Sequence, residues 1–186
     1  MKHSIWLLVA GLALTIFSCK KDDGTITPPD TTEDFSFPAN TTKFSATLFP
    51  STTSIAVNGT FDVRFVLYNV SSAFGAASEI TFSNDKVQIT ESVVGPAIGP
   101  ADAVISLRGP SPTAPSTYVF GVTYRSGSTS SLTGSGVIVK LKCKAIAAGT
   151  ANFTINPATL EIKKSDGTPI SNFGTILIEN ASVTIN

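Results

Sequence analysis

Between Ile55 and Ile89 the chain reads IAVNGTFDVRFVLYNVSSAFGAASEITFSNDKVQI. Phe61, Val63, Phe65 and Leu67 recur at spacing two around Asp62 and Arg64, the period of a strand with one buried face. Asn58-Gly59, just ahead of them, is a tight-turn dipeptide because both residues tolerate a positive φ. After a short Ser-rich link, Ile80 and Phe82 alternate around Thr81 in a second strand. Two apolar-faced strands this close together require a facing sheet, and the rest of the domain must supply it.

Short strands continue along the chain. The pattern predicts them at 44–49, 54–57, 60–69, 74–82, 87–93, 103–108, 118–125, 136–145, 151–155, 160–163 and 174–185. No window carries a helical period, and Val, Ile, Thr, Phe and Tyr dominate, as pleated surfaces prefer. Gly95-Pro96, Gly109-Pro110-Ser111-Pro112, Gly127, Ala148-Gly149 and Asp166-Gly167 punctuate the run. Asp166-Gly167, between Ile162 and Ile170, predicts a hairpin. Many short strands at regular spacing predict an all-β fold of two packed sheets.

The N-terminus reads as an address. Lys2 and His3 precede an apolar run from Ile5 to Phe17 that ends in Ser18-Cys19. The run falls short of the ~20 residues that cross a bilayer and ends at a small residue, so residues 1–18 are expected to be a cleaved signal peptide, with a retained membrane helix as the alternative. Ile16-Phe17-Ser18-Cys19 resembles a bacterial lipobox, in which the cysteine becomes the lipidated first residue. Lys20-Lys21-Asp22-Asp23 resembles the export tag that follows this cysteine in surface lipoproteins of the Bacteroidota. These likenesses imply an outer-membrane lipoprotein, exposed at the cell surface and anchored through Cys19. Residues 19–43 are rich in Thr, Pro and Asp and poor in apolar side chains, the composition of a flexible tether. Phe35 and Phe37 are its two residues able to dock on the domain, which is expected over 44–186.

Cleavage removes Met1, His3 and Trp6, the chain's one methionine, one histidine and one tryptophan. The charges are balanced, 13 Lys+Arg against 13 Asp+Glu, so no basic surplus exists to neutralise phosphates, and nucleic acid is not an expected partner. With Cys19 lipidated, Cys143 stands alone and no internal disulfide forms. Val137, Val139, Leu141 and Cys143 alternate with Lys140, Lys142 and Lys144, which predicts a buried Cys143. The lysine row reads as a solvated strand face or a lysine-guarded edge, with a surface for an acidic partner as the alternative.

Little catalytic chemistry is available. Without histidine there is no Ser–His triad and no His-ligated metal. What remains is a carboxylate pair of the glycosidase type, but Asp62, Glu79, Asp85, Glu91, Asp102, Glu161 and Asp166 are scattered over strand exteriors and turns. No enzyme activity and no cofactor are expected. Calcium is the one metal that oxygens near Asn84-Asp85 or Asp166 could attract, though neither stretch has the acidic density of a calcium loop. A sugar platform needs exposed aromatics. Tyr68, Tyr118 and Tyr124 are the three tyrosines, so a glycan site would need one of them at the surface. Residues 99–116 form a Pro-rich connection, either a recognition loop or a passive crossover.

The order of these features resembles cohesin-type domains. Ile55-Ala56-Val57-Asn58-Gly59-Thr60-Phe61-Asp62-Val63 is similar to their opening strand, turn and second strand. Asn69-Val70-Ser71-Ser72-Ala73-Phe74-Gly75-Ala76 resembles the link into their third strand, and Glu79 to Ile89 resembles the strand and turn that follow. Leu132 to Ala145 and Ala148 to Ile155 are similar to their late Gly-rich strands. The likeness spans roughly residues 44–186. It implies a jelly-roll-like β-sandwich of about nine strands, shared with carbohydrate-binding modules, that binds a protein: in cellulosomes, a dockerin. The contact face would include the outward side chains of the third strand, Ala77, Glu79 and Thr81, with Tyr118 and Tyr124 nearby. Three functions follow as expectations: a surface module recognising a dockerin-bearing or other protein, a module capturing polysaccharide, or a structural spacer in an envelope assembly.

Overall fold

The computed structural model describes residues 33–39, 43–99, 104–170 and 176–186. The signal segment, Cys19 and Asp102 lie outside the described residues. The predicted alternation becomes twelve strands: β1 (Ser45–Pro50), β2 (Ser54–Ile55), β3 (Thr60–Ala73), β4 (Gly75–Phe82), β5 (Val87–Val94), β6 (Val104–Pro110), β7 (Thr117–Tyr124), β8 (Leu132–Ala145), β9 (Gly149–Ile155), β10 (Glu161–Lys163), β11 (Leu177–Glu179) and β12 (Ala181–Ile185). One 3-10 turn, Pro96–Ile98, is the only helical element among the described residues. The turn predicted at Asn58-Gly59 is present, with Asn58 at φ 69°.

The strands form two sheets. The five-stranded sheet runs β11-β1-β3-β8-β5; the seven-stranded sheet runs β2-β12-β9-β4-β7-β6, with β10 also on β4. β3 and β4, close in sequence, are therefore not neighbours in one sheet but face each other across the sandwich, the chain crossing at Phe74. The last predicted strand is two: β11 joins the first sheet and β12 the second.

Inward side chains of both sheets make one core. Phe65 of β3 meets Phe120 of β7 with ring centroids 4.8 Å apart, and Phe61 meets Phe153 of β9 at 6.1 Å. Each such ring removed from water contributes about 1.5–3 kcal/mol. Cys143 is buried among them as a free thiol. The 3-10 turn presses Gly95 against β8 so closely that a Cβ there would lie 2.0 Å from the Val137 carbonyl oxygen.

Three expectations are corrected by the packing. Val137 does not share a face with Val139, Leu141 and Cys143. A bulge between β3 and β8 pairs Phe65 with Val139 but Val66 with Val137. The extra residue, Ile138, points into the core, and Val137 turns outward beside Val66 and Tyr68. A bulge inserts one residue and so inverts the alternation beyond it.

Lys140 is not on a solvated face. β8 lies between β3 and β5, and Lys140 is 1% exposed. Residues 34–39, expected within a flexible tether, cover it. They run as a strap over the outer side of the five-stranded sheet, and Phe35, Phe37, Phe49, Val66, Tyr68 and Val137 form a second, small apolar cluster there. Residues 34 to 186 belong to one compact unit. Two aromatics supply the buried area that the rest of the tether sequence lacks.

Candidate functional site

The outer side of the seven-stranded sheet carries two exposed large apolar side chains, Ile105 and Leu107. Its layout follows from strand register, since directly opposed residues share a face. One row runs Glu161 (β10), Ala77 (β4), Gly121 (β7), Leu107 (β6). The next runs Lys163, Gly75, Thr123, Ile105. In the other direction come Glu79, Val119 and Gly109, then Thr154, Thr81 and Thr117.

Small residues thus occupy the middle of the face and larger ones its two sides. Leu107 is 74% and Ile105 57% exposed, and they stand along the β6 side. Opposite them Glu161 and Lys163 form an ion pair at 2.9 Å. On the β10 side of the face lies a groove of about 360 Å³ lined by Gly75, Ala77, Gly121, Thr123, Glu161 and Lys163 among others, with Leu107 and Ile105 of β6 standing beyond it, next to Gly121 and Thr123 in register. From β10 to β6 is three strand spacings, about 14 Å. The end of the face towards Thr81 is polar, and there Glu79 accepts a hydrogen bond from the Asn156 side chain at 3.1 Å.

β6 explains how two large apolar side chains come to face water. Its inward residues are Val104, Ser106 and Arg108, opposite Tyr124, Val122 and Phe120. Arg108 Nη1 donates to the Ser92 carbonyl and hydroxyl of β5, so the guanidinium bridges the two sheets at their open edge. That bond fixes the register and leaves Ile105 and Leu107 outward. Sequence reading placed a strand here but singled out neither residue. No local signal marks them: Ser106 and Arg108 are the polar set of this strand, and only the Ser92 partner on β5 turns that set inward.

Of the residues expected on this face, Ala77, Glu79 and Thr81 do point outward. Tyr118 and Tyr124 do not: they are 4% and 7% exposed and line the core. Tyr118 donates to the Ser92 hydroxyl and Tyr124 to the Ala97 carbonyl, and burial raises the Tyr124 phenol above its ordinary value. Their outward neighbours on β7 are Val119, Gly121 and Thr123. Tyr68, at 3% exposed, lies beneath the strap. No tyrosine is available as a sugar platform.

The carboxylates are engaged singly. Asp62 lies 3.7 Å from Lys140, Asp85 3.2 Å from Lys86 and Glu91 3.1 Å from Lys142. The Asp166 carboxylate accepts from the Thr168 hydroxyl at 2.6 Å and its amide at 2.9 Å. These two bonds, the hydroxyl first, hold it below the usual carboxylate range. That is the geometry of the predicted turn, completed by Gly167 at φ 80° and by the Ile170 amide donating to the Ile162 carbonyl at 3.1 Å. Among the described residues no three Asp, Glu, His or Cys converge as a metal site would require.

No protein-family model matches the sequence, and no curated protein matches it. Solved structures do match. A type II cohesin domain from the cellulosome of Acetivibrio cellulolyticus superposes with a TM-score of 0.64 at 12% identity, covering 76% of this chain and 95% of its own. A non-cellulosomal cohesin from the archaeon Archaeoglobus fulgidus gives 0.59 at 12% identity, covering 76% and 91%. A third cohesin, also from Acetivibrio cellulolyticus and seen in complex with a dockerin, gives 0.60 at 14% identity, covering 75% and 98%. The chain carries a cohesin-like domain, a two-sheet β-sandwich of this fold.

Proposed function

We propose that this domain is a non-catalytic recognition module whose partner protein docks on the outer side of the seven-stranded sheet. The observation that carries this reading is the groove with a Gly75, Ala77 and Gly121 floor beside exposed Leu107 and Ile105. An α-helix with its side chains is about 10–12 Å across, which suits a face that spans about 14 Å from β10 to β6. Gly121 and Ala77 let it approach, while Leu107 and Ile105 cover its apolar stripe. Glu79 and Thr81 would meet its polar flank. A dockerin-like helical protein is the partner class that fits, and one of the solved structures with this fold holds a dockerin. In the same proposal residues 1–18 are a signal peptide and Cys19 a lipid anchor, which puts the module at the outer-membrane surface.

Capture from the producing organism's lysate, with residues 34–186 as bait, tests the reading. A retained protein should be lost on Gly121→Arg and on Leu107→Glu, each lowering affinity by about 2 kcal/mol or more, roughly 30-fold. Equal retention by the variants would move the partner elsewhere. Binding to extracted glycans with no protein retained would favour the carbohydrate alternative, which the burial of Tyr68, Tyr118 and Tyr124 weakens. Silence on both sides would leave the spacer.

A further inference from the structure

On the opposite side of the sandwich, Arg64 of β3 and Lys140 of β8 stand directly opposed in register. They are 2% and 1% exposed. Like charges face to face on adjacent strands repel, the more so out of water, so this pair demands anions. Asp62, 3.7 Å from the Lys140 ammonium, is one. Another comes from the strap: the Asp34 carboxylate sits 2.7 Å from Arg64 Nη2. The Asp34 main-chain carbonyl also accepts from Arg64 Nε at 3.3 Å and from Lys140 Nζ at 3.2 Å.

The next residues use the same surface. Phe35 lies over the Lys140 ammonium, 4.7 Å from ring centroid to nitrogen. Phe37 meets Tyr68 edge-on at 5.6 Å, and the Tyr68 hydroxyl donates to the Pro38 carbonyl at 2.9 Å. Phe49 flanks Arg64 at 5.9 Å. Among the described residues no main-chain to main-chain hydrogen bond ties residues 34–39 to a strand. The strap is held as a peptide ligand is held, through a carboxylate, two aromatics at alternate positions and two main-chain carbonyls, those of Asp34 and Pro38.

We infer that the outer face of the five-stranded sheet is a peptide-recognition site for a segment of the form Asp-Phe-x-Phe-Pro, and that residues 34–38 are its resident ligand. Arg64 and Lys140 read the carboxylate; Lys140 and Tyr68 read the two rings; the Tyr68 hydroxyl fixes the register. Because the ligand is part of the same chain, its effective concentration is on the order of millimolar. A segment from another molecule gains the site only by out-competing it. This inference is independent of the groove on the other sheet.

The test uses the full chain with Asp34→Ala, Phe35→Ala and Phe37→Ala, titrated with a synthetic peptide of residues 33–40 and followed by the NMR signals of Tyr68 and the Arg64 guanidinium. The expected result is saturable binding, at least tenfold weaker in the wild-type chain and lost when Arg64→Ala is added. A folded triple variant that does not bind the peptide, or a wild-type chain that binds it equally well, overturns the inference. Should the triple variant not fold, the single Phe37→Ala chain carries the test. It must bind the peptide at least tenfold more tightly than wild type, and failure to do so is equally decisive.

Discussion

Cys143 faces the interior from β8, enclosed on all sides. Burial, and then the Asp62 carboxylate, push its thiol far above the ordinary range, so the native protein holds it neutral and shielded, and it is the thiolate that reacts. Iodoacetamide at pH 8 should leave Cys143 unmodified in the folded protein and label it fully in denaturant; rapid native labelling would contradict the packing. Cys143 was legible in the sequence because its neighbours Leu141 and Val139 are apolar at spacing two. Lys140 was not. Lys140-x-Lys142-x-Lys144 looks the same whether that face meets water or a strap, and the strap that decides it lies about a hundred residues earlier. Val137 escaped for a different reason: a bulge is set by the pairing of two strands, and the alternation of one strand carries no mark of it.

Among the elements, β3 and β8 form the backbone of the first sheet, and their bulge serves both sides of it. It sends Ile138 inward to the core and Val137 outward to the strap. Phe65, fully buried and in ring contact with Phe120, ties this pair to the facing sheet. Phe65→Ala should cost about 3–5 kcal/mol, measurable as a lowered midpoint in chemical denaturation; a loss below about 1 kcal/mol would mean that the sheets are not joined there. Strand existence was readable nearly throughout, because period-two patterns survive any sheet arrangement. Sheet membership was not, since nothing local says that the chain crosses at Phe74 or again at Asn180. β6 is the instructive strand for the groove. Val104 and Ile105 are both apolar, so the pattern leaves its facing open, and the bond from Arg108 to Ser92 on another sheet decides it. Ala77, Glu79 and Thr81 were placed outward correctly because Ile80 and Phe82 fix the inward set. Tyr118 and Tyr124 were misjudged because a tyrosine in a β-sandwich can lie on either face; here each reaches a polar partner from inside.

For the whole molecule, the strap adds an acid-sensitive element to an otherwise neutral sandwich. The Asp34 carboxyl is held below its ordinary 3.8, first by the Ser36 amide and hydroxyl and then by Arg64 and Lys140. A depressed carboxylate stabilises the bound strap above the unfolded value and loses that contribution as pH falls through the folded one. The strap should therefore stay seated at pH 4–5 and loosen only below 3.8. The Ser36 amide chemical shift should report the midpoint, with Asp34→Asn abolishing the transition; a midpoint at or above 3.8 would show that the carboxylate is not engaged.

The strap and the groove lie on opposite faces of the sandwich. In a chain held at Cys19 and loaded by a partner in the groove, as proposed, tension would cross the thickness of the domain, and on the Cys19 side the strap would bear it ahead of β1. Its side-chain contacts would yield one after another, Asp34 first and Pro38 last, which is peeling. β1, hydrogen-bonded on both sides to β3 and β11, would have to shear a whole ladder at once. Residues 34–39 would thus let out about 20 Å of chain under low force, reversibly, leaving the folded sheets untouched while a pull is absorbed.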